Sequence, residues 1–309
     1  MIPKLLAFKI AQLFVIMILG FVLAKTKIVR KDDSTVLSKL CLYLLMPAII
    51  ISSFNLKITA DIGKGIILAF VAAIAVHIVF MALDCIYKKS LKPSPTERAS
   101  VMYSNAGNLI VPIVGFVLGK EWIIYSSAYI AVQQIFIWTH GSAIYMDKKH
   151  ISIKKIILNP NIIAIFCGVI ILLSGFEIPE FAGGIIDSLG SMIGTVGMLI
   201  CGIMAAFLDY RKIISDKRMY IVCILRMIIY PAITLIIFRI LNSYVSLPDA
   251  KNILLVSFLA CMTPSAATVT QFAQIYNNES DLAVGINIIS TVMCVVTMPV
   301  FVAIYQMVI

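Results

Sequence analysis

Apolar runs about twenty residues long follow one another along the whole of this chain, separated by short charged loops. A run of that length is what one helical passage through the hydrocarbon of a bilayer needs. Strands of a membrane barrel would instead alternate apolar and polar residues over about ten positions; these runs are continuous. Composition closes the argument. Of 309 residues, 61% are hydrophobic and 13% charged, and the mean hydropathy is +1.03. Soluble domains run about 45–50% apolar and about 25% charged, and a soluble fold of this size has too little interior to hide the excess. The lipid bilayer is therefore the solvent.

Charge, glycine and proline punctuate ten spans, at 5–24, 36–56, 62–87, 97–119, 122–146, 156–175, 182–208, 218–240, 251–276 and 281–308. The first could pass for a signal peptide, but it is longer than a usual signal core and lacks a clear cleavage site. The net charge of +10 comes from basic residues in the loops, not from a basic stripe, so nucleic acid is not a partner. Of the 25 Lys and Arg, 17 lie in or beside the loops after odd-numbered spans, 7 in or beside the tails and remaining loops, and Arg226 inside span 8. The positive-inside rule then places the odd loops in the cytoplasm and both termini outside a cell (inner) membrane.

The seven cysteines lie in or beside apolar runs, form no CxxC, and read as small buried hydrophobes. No cofactor or metal site is expected. An intramembrane enzyme would need a nucleophile with its base, an acidic pair or a metal cluster. The three histidines form no HExxH, and no phosphate-binding glycine motif is present. The chain is not expected to be an enzyme.

The charged stretch 147–155 falls at the midpoint. It divides the chain into a first five-span unit, 1–146, and a second, 156–309, joined by a cytoplasmic linker. Because five is odd, a second copy inserts upside down. The expected fold is thus an all-α polytopic membrane protein of ten helices in two inverted five-helix repeats, a plan used by many secondary transporters.

Spans 4 and 9 occupy matching places in the halves, and both carry helix-disfavouring residues. Span 4 contains Asn105, Gly107, Asn108 and Pro112; span 9 contains Thr263, Pro264, Ser265, Thr268 and Gln271. Irregular backbone at membrane depth is tolerated only inside protein or against a water-filled cavity. Matched interruptions are the best sequence pointer to a transporter's binding site. Each break creates a new helix N-terminus with free N–H groups and a positive partial charge, which favours an anion. Asn108 and Thr263 or Ser265 suit the capping positions. The same breaks also free carbonyls, which could hold a cation.

Other polar residues within the spans are candidates for coupling or gating. Asp84 in span 3 lies near the cytoplasmic edge, where its head could reach water, and His77 lies about two turns deeper. Arg226 in span 8 could snorkel to the cytoplasm, pair with Asp84, or draw anions inward. Gln133 and Gln134 in span 5 and Asn287 in span 10 read either as cavity lining or as hydrogen-bonding glue between helices.

Leu45-Met-Pro-Ala-Ile, the Asn105 to Pro112 stretch, and Thr263-Pro-Ser through Gln274-Ile-Tyr-Asn-Asn-Glu-Ser-Asp-Leu-Ala together resemble the auxin efflux carrier family. That family includes plant auxin carriers and bacterial malate-permease-like proteins, and the resemblance covers essentially the whole chain. It implies that spans 4 and 9 cross at Pro112 and Pro264, that Asn105 contacts a substrate carboxylate, that spans 3–5 and 8–10 move against spans 1, 2, 6 and 7, and that the protein pairs as a homodimer. Val269 stands where plant carriers often have a second proline, and their long hydrophilic central loop is absent. The resemblance therefore points to a short bacterial-type carrier of a small organic anion working by alternating access. The alternatives are a sodium- or proton-coupled carrier of related crossed-helix fold, or a membrane sensor.

Overall fold

The computed structural model describes residues 2–54, 60–145, 158, 160–276 and 278–309. The expected linker 147–155 lies outside them. Regular structure among the described residues is helical: α1 (Ile2–Lys25), α2 (Asp33–Leu40), α3 (Met46–Phe54), α4 (Ala60–Leu91), α5 (Pro95–Met102), α6 (Ala106–Val117), α7 (Ile123–Phe136), α8 (Ser142–Tyr145), α9 (Pro160–Ser174), α10 (Glu180–Ala206), α11 (Tyr210–Ser215), α12 (Lys217–Ile224), α13 (Tyr230–Ser243), α14 (Ala250–Cys261), α15 (Ala267–Ile275) and α16 (Ser280–Val308).

Among the described residues five helical stretches are long and apolar enough to cross a membrane: Asp33–Ser52, Ile62–Leu91, Glu180–Ala206, Lys217–Ser243 and Ser280–Val308. Shorter apolar helices cover Ala11–Lys25, Pro160–Ser174 and Ala250–Cys261. Five of the ten expected spans, 36–56, 62–87, 182–208, 218–240 and 281–308, thus have a full-length counterpart; of the rest, span 4 is cut into α5 and α6 and span 9 into α14 and α15, spans 1 and 6 carry the shorter apolar helices, and span 5 contributes no such stretch among the described residues. Three spans stay continuous through π turns, at Cys41–Leu45, Ile137–Gly141 and Leu225–Ile229. The first and third lie just ahead of Pro47 and Pro231. Proline removes a donor and crowds the preceding turn, and a widened turn there absorbs the misfit without ending the helix.

Apolar and polar residues are distributed as a lipid solvent demands. Ile67, Val71, Ile74 and Ile78 on α4, and Ile163, Phe166, Ile170 and Leu173 on α9, are exposed at helical spacing. Asp84, Asn105, Gln133, Arg226 and Asn287 are buried. Between α1 and α10 the backbones nearly touch. A Cβ added at Gly202 would lie 1.8 Å from the Met17 carbonyl oxygen, and one at Gly20 would lie 2.3 Å from that of Leu199. Small residues are what allow membrane helices to approach this closely. α10 also packs on α3, and α4 packs on α7 and α14, so the broken pair α5–α6 and α14–α15 is enclosed on several sides.

Candidate functional site: the crossing of two broken helices

The two breaks meet. Ser104 and Ser265 face each other as a single antiparallel bridge. The Asn105 amide donates to the Pro264 carbonyl at 2.7 Å, and the Ala266 amide donates to the Tyr103 carbonyl at 3.0 Å. In this arrangement the amide and carbonyl of each serine point away from the opposite segment, and both are satisfied by side chains. Gln133 on α7 accepts from the Ser104 amide (3.1 Å) and donates to the Ser104 carbonyl (2.8 Å). Asn287 on α16 donates to the Ser265 carbonyl (2.6 Å), while Ser290 Oγ accepts from the Ser265 amide (3.1 Å). Of the two readings of these amides, helix-joining glue describes Gln133 and Asn287 directly, although both also border the cavities described below. Buried backbone groups must be paired, and the crossing pairs them without water.

Arg226 performs a different task. It is fully buried within the π turn Leu225–Ile229. Its guanidinium donates to the Thr263 carbonyl from Nε (3.3 Å) and Nη2 (2.9 Å), to the Val101 carbonyl from Nη1 (3.3 Å), and to the Cys261 carbonyl. Val101 lies in the last turn of α5, and Cys261 ends α14. One side chain thus closes the carbonyl ends of both leading half-helices, where orphan acceptors and negative partial charge collect. Arg226 neither snorkels nor pairs with Asp84. Its donors go instead to main-chain carbonyls at the two breaks.

The opposite ends of the breaks are open. α6 begins at Ala106 with Asn105 as its N-cap, and α15 begins at Ala267. Asn108 and Pro112 are inside α6, so neither caps the break, and the segments cross at Ser104 and Ser265 rather than at Pro112; Pro264 does sit at the crossing. Thr263 and Ser265 lie in the break itself. Asn105 Oδ1 reaches across to the Ala267 amide at 3.5 Å, a long contact that caps the neighbouring helix rather than its own. Both N-termini border one cavity of about 30 Å³, lined by Asn105, Gly107, Gln133, Gln134, Thr268 and Gln271 among others. A second cavity of about 20 Å³ adjoins it through Ser38, Ile200, Ala267 and Gln271, and adds Ser34, Thr35, Thr270 and Asn287. Ser38 and Ser290 carried no signal in the sequence, because isolated serines are common in membrane helices and only the packing brings these two to the crossing.

Asp84 is buried rather than water-facing. Arg98 on α5 grips it with two hydrogen bonds, Nε to Oδ1 at 3.0 Å and Nη2 to Oδ2 at 2.5 Å. His140 Nε2 lies 3.6 Å from the same carboxylate, and His140 Nδ1 lies 2.9 Å from Tyr103 Oη. Tyr103 also supplies a carbonyl to the crossing, so this network runs from α4 to the break. His77 stands apart from the cavity, with Nδ1 2.7 Å from the Ala73 carbonyl and its ring stacked on Phe136. Arg98→Met leaves a buried carboxylate without its partner and is expected to cost about 3–5 kcal/mol. Adding Asp84→Asn should recover most of that loss in a thermal unfolding assay. A double variant no more stable than Arg98→Met would show that the pair is not what holds α4 to α5.

Lipid-facing apolar helices, a buried polar centre and two interrupted helices meeting within it are the features of a multi-pass membrane transporter. The family described as membrane transport protein matches the chain over residues 6–150 and again over 147–302. The chain belongs to this family, that of the auxin efflux carriers and malate permeases, whose members are transporters and not enzymes. No curated protein matches the chain.

Proposed function

We propose that the protein is a carrier that moves a small organic anion, a carboxylate, across the cell membrane by alternating access. The observation that carries this reading is the asymmetry of the crossing. Its carbonyl ends are occupied by Arg226, whereas its N-terminal ends open on a cavity. The sequence left anion and cation both open. With the carbonyls already holding a guanidinium, the positive partial charge of the two helix N-termini favours an anion. A cation-coupled carrier would want a carboxylate at the crossing, and the described residues lining both cavities include no Asp or Glu.

A cavity of about 30 Å³ has room for water rather than for an organic acid, so the site must widen to load. That need fits a carrier that opens to one side at a time. The ten-span plan in two inverted halves fits the matching devices at the breaks, Gln133 one helix after span 4 and Asn287 one helix after span 9. The two family-matched stretches meet at 147–150, within the expected linker. The charge bias favours both termini outside, and the family resemblance suggests a homodimer.

Uptake of labelled carboxylates into proteoliposomes tests the reading. Saturable uptake of an organic acid that is unchanged when potassium replaces sodium is expected. Flux of a cation with no organic anion transported would overturn it.

A further inference from the structure

We infer that the substrate is a small hydroxylated monocarboxylate, taken as a monoanion. The inference rests on the organic-anion reading above and narrows it by charge, by hydrogen bonding and by size.

Charge comes first. Each helix N-terminus is equivalent to roughly +0.5 charge and each C-terminus to roughly −0.5. The C-terminal ends of α5 and α14 together are balanced by the single positive charge of Arg226. The N-terminal ends of α6 and α15 together are worth roughly one positive charge, and both border the same cavity. One carboxylate balances them. A second carboxylate on the same ligand would find no counter-charge, because the described residues lining the two cavities include no Lys, Arg or His. A buried charge without a partner is expensive.

Hydrogen bonding comes second. Gln134 lines the cavity and is 4% exposed, and its Oε1 has no hydrogen-bond partner among the described residues. It is an acceptor in need of a donor. A carboxylate has no proton to give, whereas a ligand hydroxyl does. The adjoining cavity continues the theme with the hydroxyls of Ser34, Thr35, Ser38 and Thr270. Size points the same way. From cavities of about 30 and about 20 Å³, an acid of a few heavy atoms asks for less widening than one bearing an aromatic ring system.

Stabilisation of the purified full-length protein against thermal unfolding is measured at neutral pH with lactate, propionate, malate and indole-3-acetate. Lactate is expected to bind about tenfold more tightly than propionate, the fold-change of one satisfied hydrogen bond, and at least as far ahead of the malate dianion and the indole acid. Gln134→Met should bring lactate down to the affinity of propionate. The wild-type ratios decide the matter should that variant fail to fold. Malate binding as tightly as lactate would overturn the monoanion assignment and leave the organic-anion reading standing. Propionate equal to lactate would overturn the hydroxyl contact, and indole-3-acetate equal to lactate the size argument. Stabilisation by none of the four acids would remove the organic-anion reading and this inference together.

Discussion

Replacing Arg226 with methionine is expected to abolish transport and to lower thermal stability sharply. Methionine matches much of the apolar stem but donates nothing. The Thr263, Val101 and Cys261 carbonyls would be left in a dry interior without donors, at about 1–3 kcal/mol for each unsatisfied group. Two helix C-termini would also converge without a compensating charge. Arg226→Lys keeps the charge but offers a compact ammonium in place of a planar fork. It should restore stability in part and transport little, because one ammonium does not span carbonyls drawn from both α5 and α14. Unfolding temperature and proteoliposome uptake measured on the same preparations check both. Wild-type stability and flux in Arg226→Met would mean that the crossing does not depend on this cation, and the argument for anion selectivity would fall with it.

Asn105→Ala is expected to abolish uptake while leaving the protein folded. The side chain adds little to the fold: its one hydrogen bond among the described residues is the 3.5 Å contact to the Ala267 amide, and Gln133, Ser290, Asn287 and the paired backbone hold the crossing without it. What it supplies to the cavity is an amide donor between two helix N-termini. Asn105→Asp separates that donor from the cap. Aspartate is nearly isosteric and retains the acceptor for Ala267, but it puts a negative charge where the substrate's charge is to sit. Both variants should lose at least about tenfold in uptake, a deficit of about 1.4 kcal/mol or more, with unfolding temperatures close to wild type. Asn105→Asp transporting an organic acid at the wild-type rate would move the binding site away from the crossing.

Apolar runs of about twenty residues determined that the chain is helical and lives in a bilayer, because no other solvent accepts that much exposed hydrocarbon. The interruptions in spans 4 and 9 were legible for the same reason. Polar and helix-disfavouring residues inside an apolar run must be enclosed by protein, and Asn105, Gly107, Thr268 and Gln271 do meet at one cavity. Capping was misplaced by three residues in span 4, since Asn105 rather than Asn108 precedes the second half-helix. Both asparagines suit an N-cap, and only the pairing of Asn105 with Pro264 selects between them.

Partner choice was the part that the sequence by itself did not determine. Asp84 and Arg226 are the two charged residues that stand out in spans 3 and 8, and pairing them is the natural reading of a linear pattern. The fold gives Asp84 to Arg98, fourteen residues on, and gives Arg226 to carbonyls at Val101, Cys261 and Thr263. A helix end has no signature in side-chain type that reveals how many of its carbonyls will lack a donor. That number depends on where two chain segments far apart in sequence break and how they cross. Residue types along the chain thus decided the solvent, the helices and the places where they break. Only the packing of one break against the other decided which end of each broken helix is closed, because the donors that reach its carbonyls come from a segment far away in the chain.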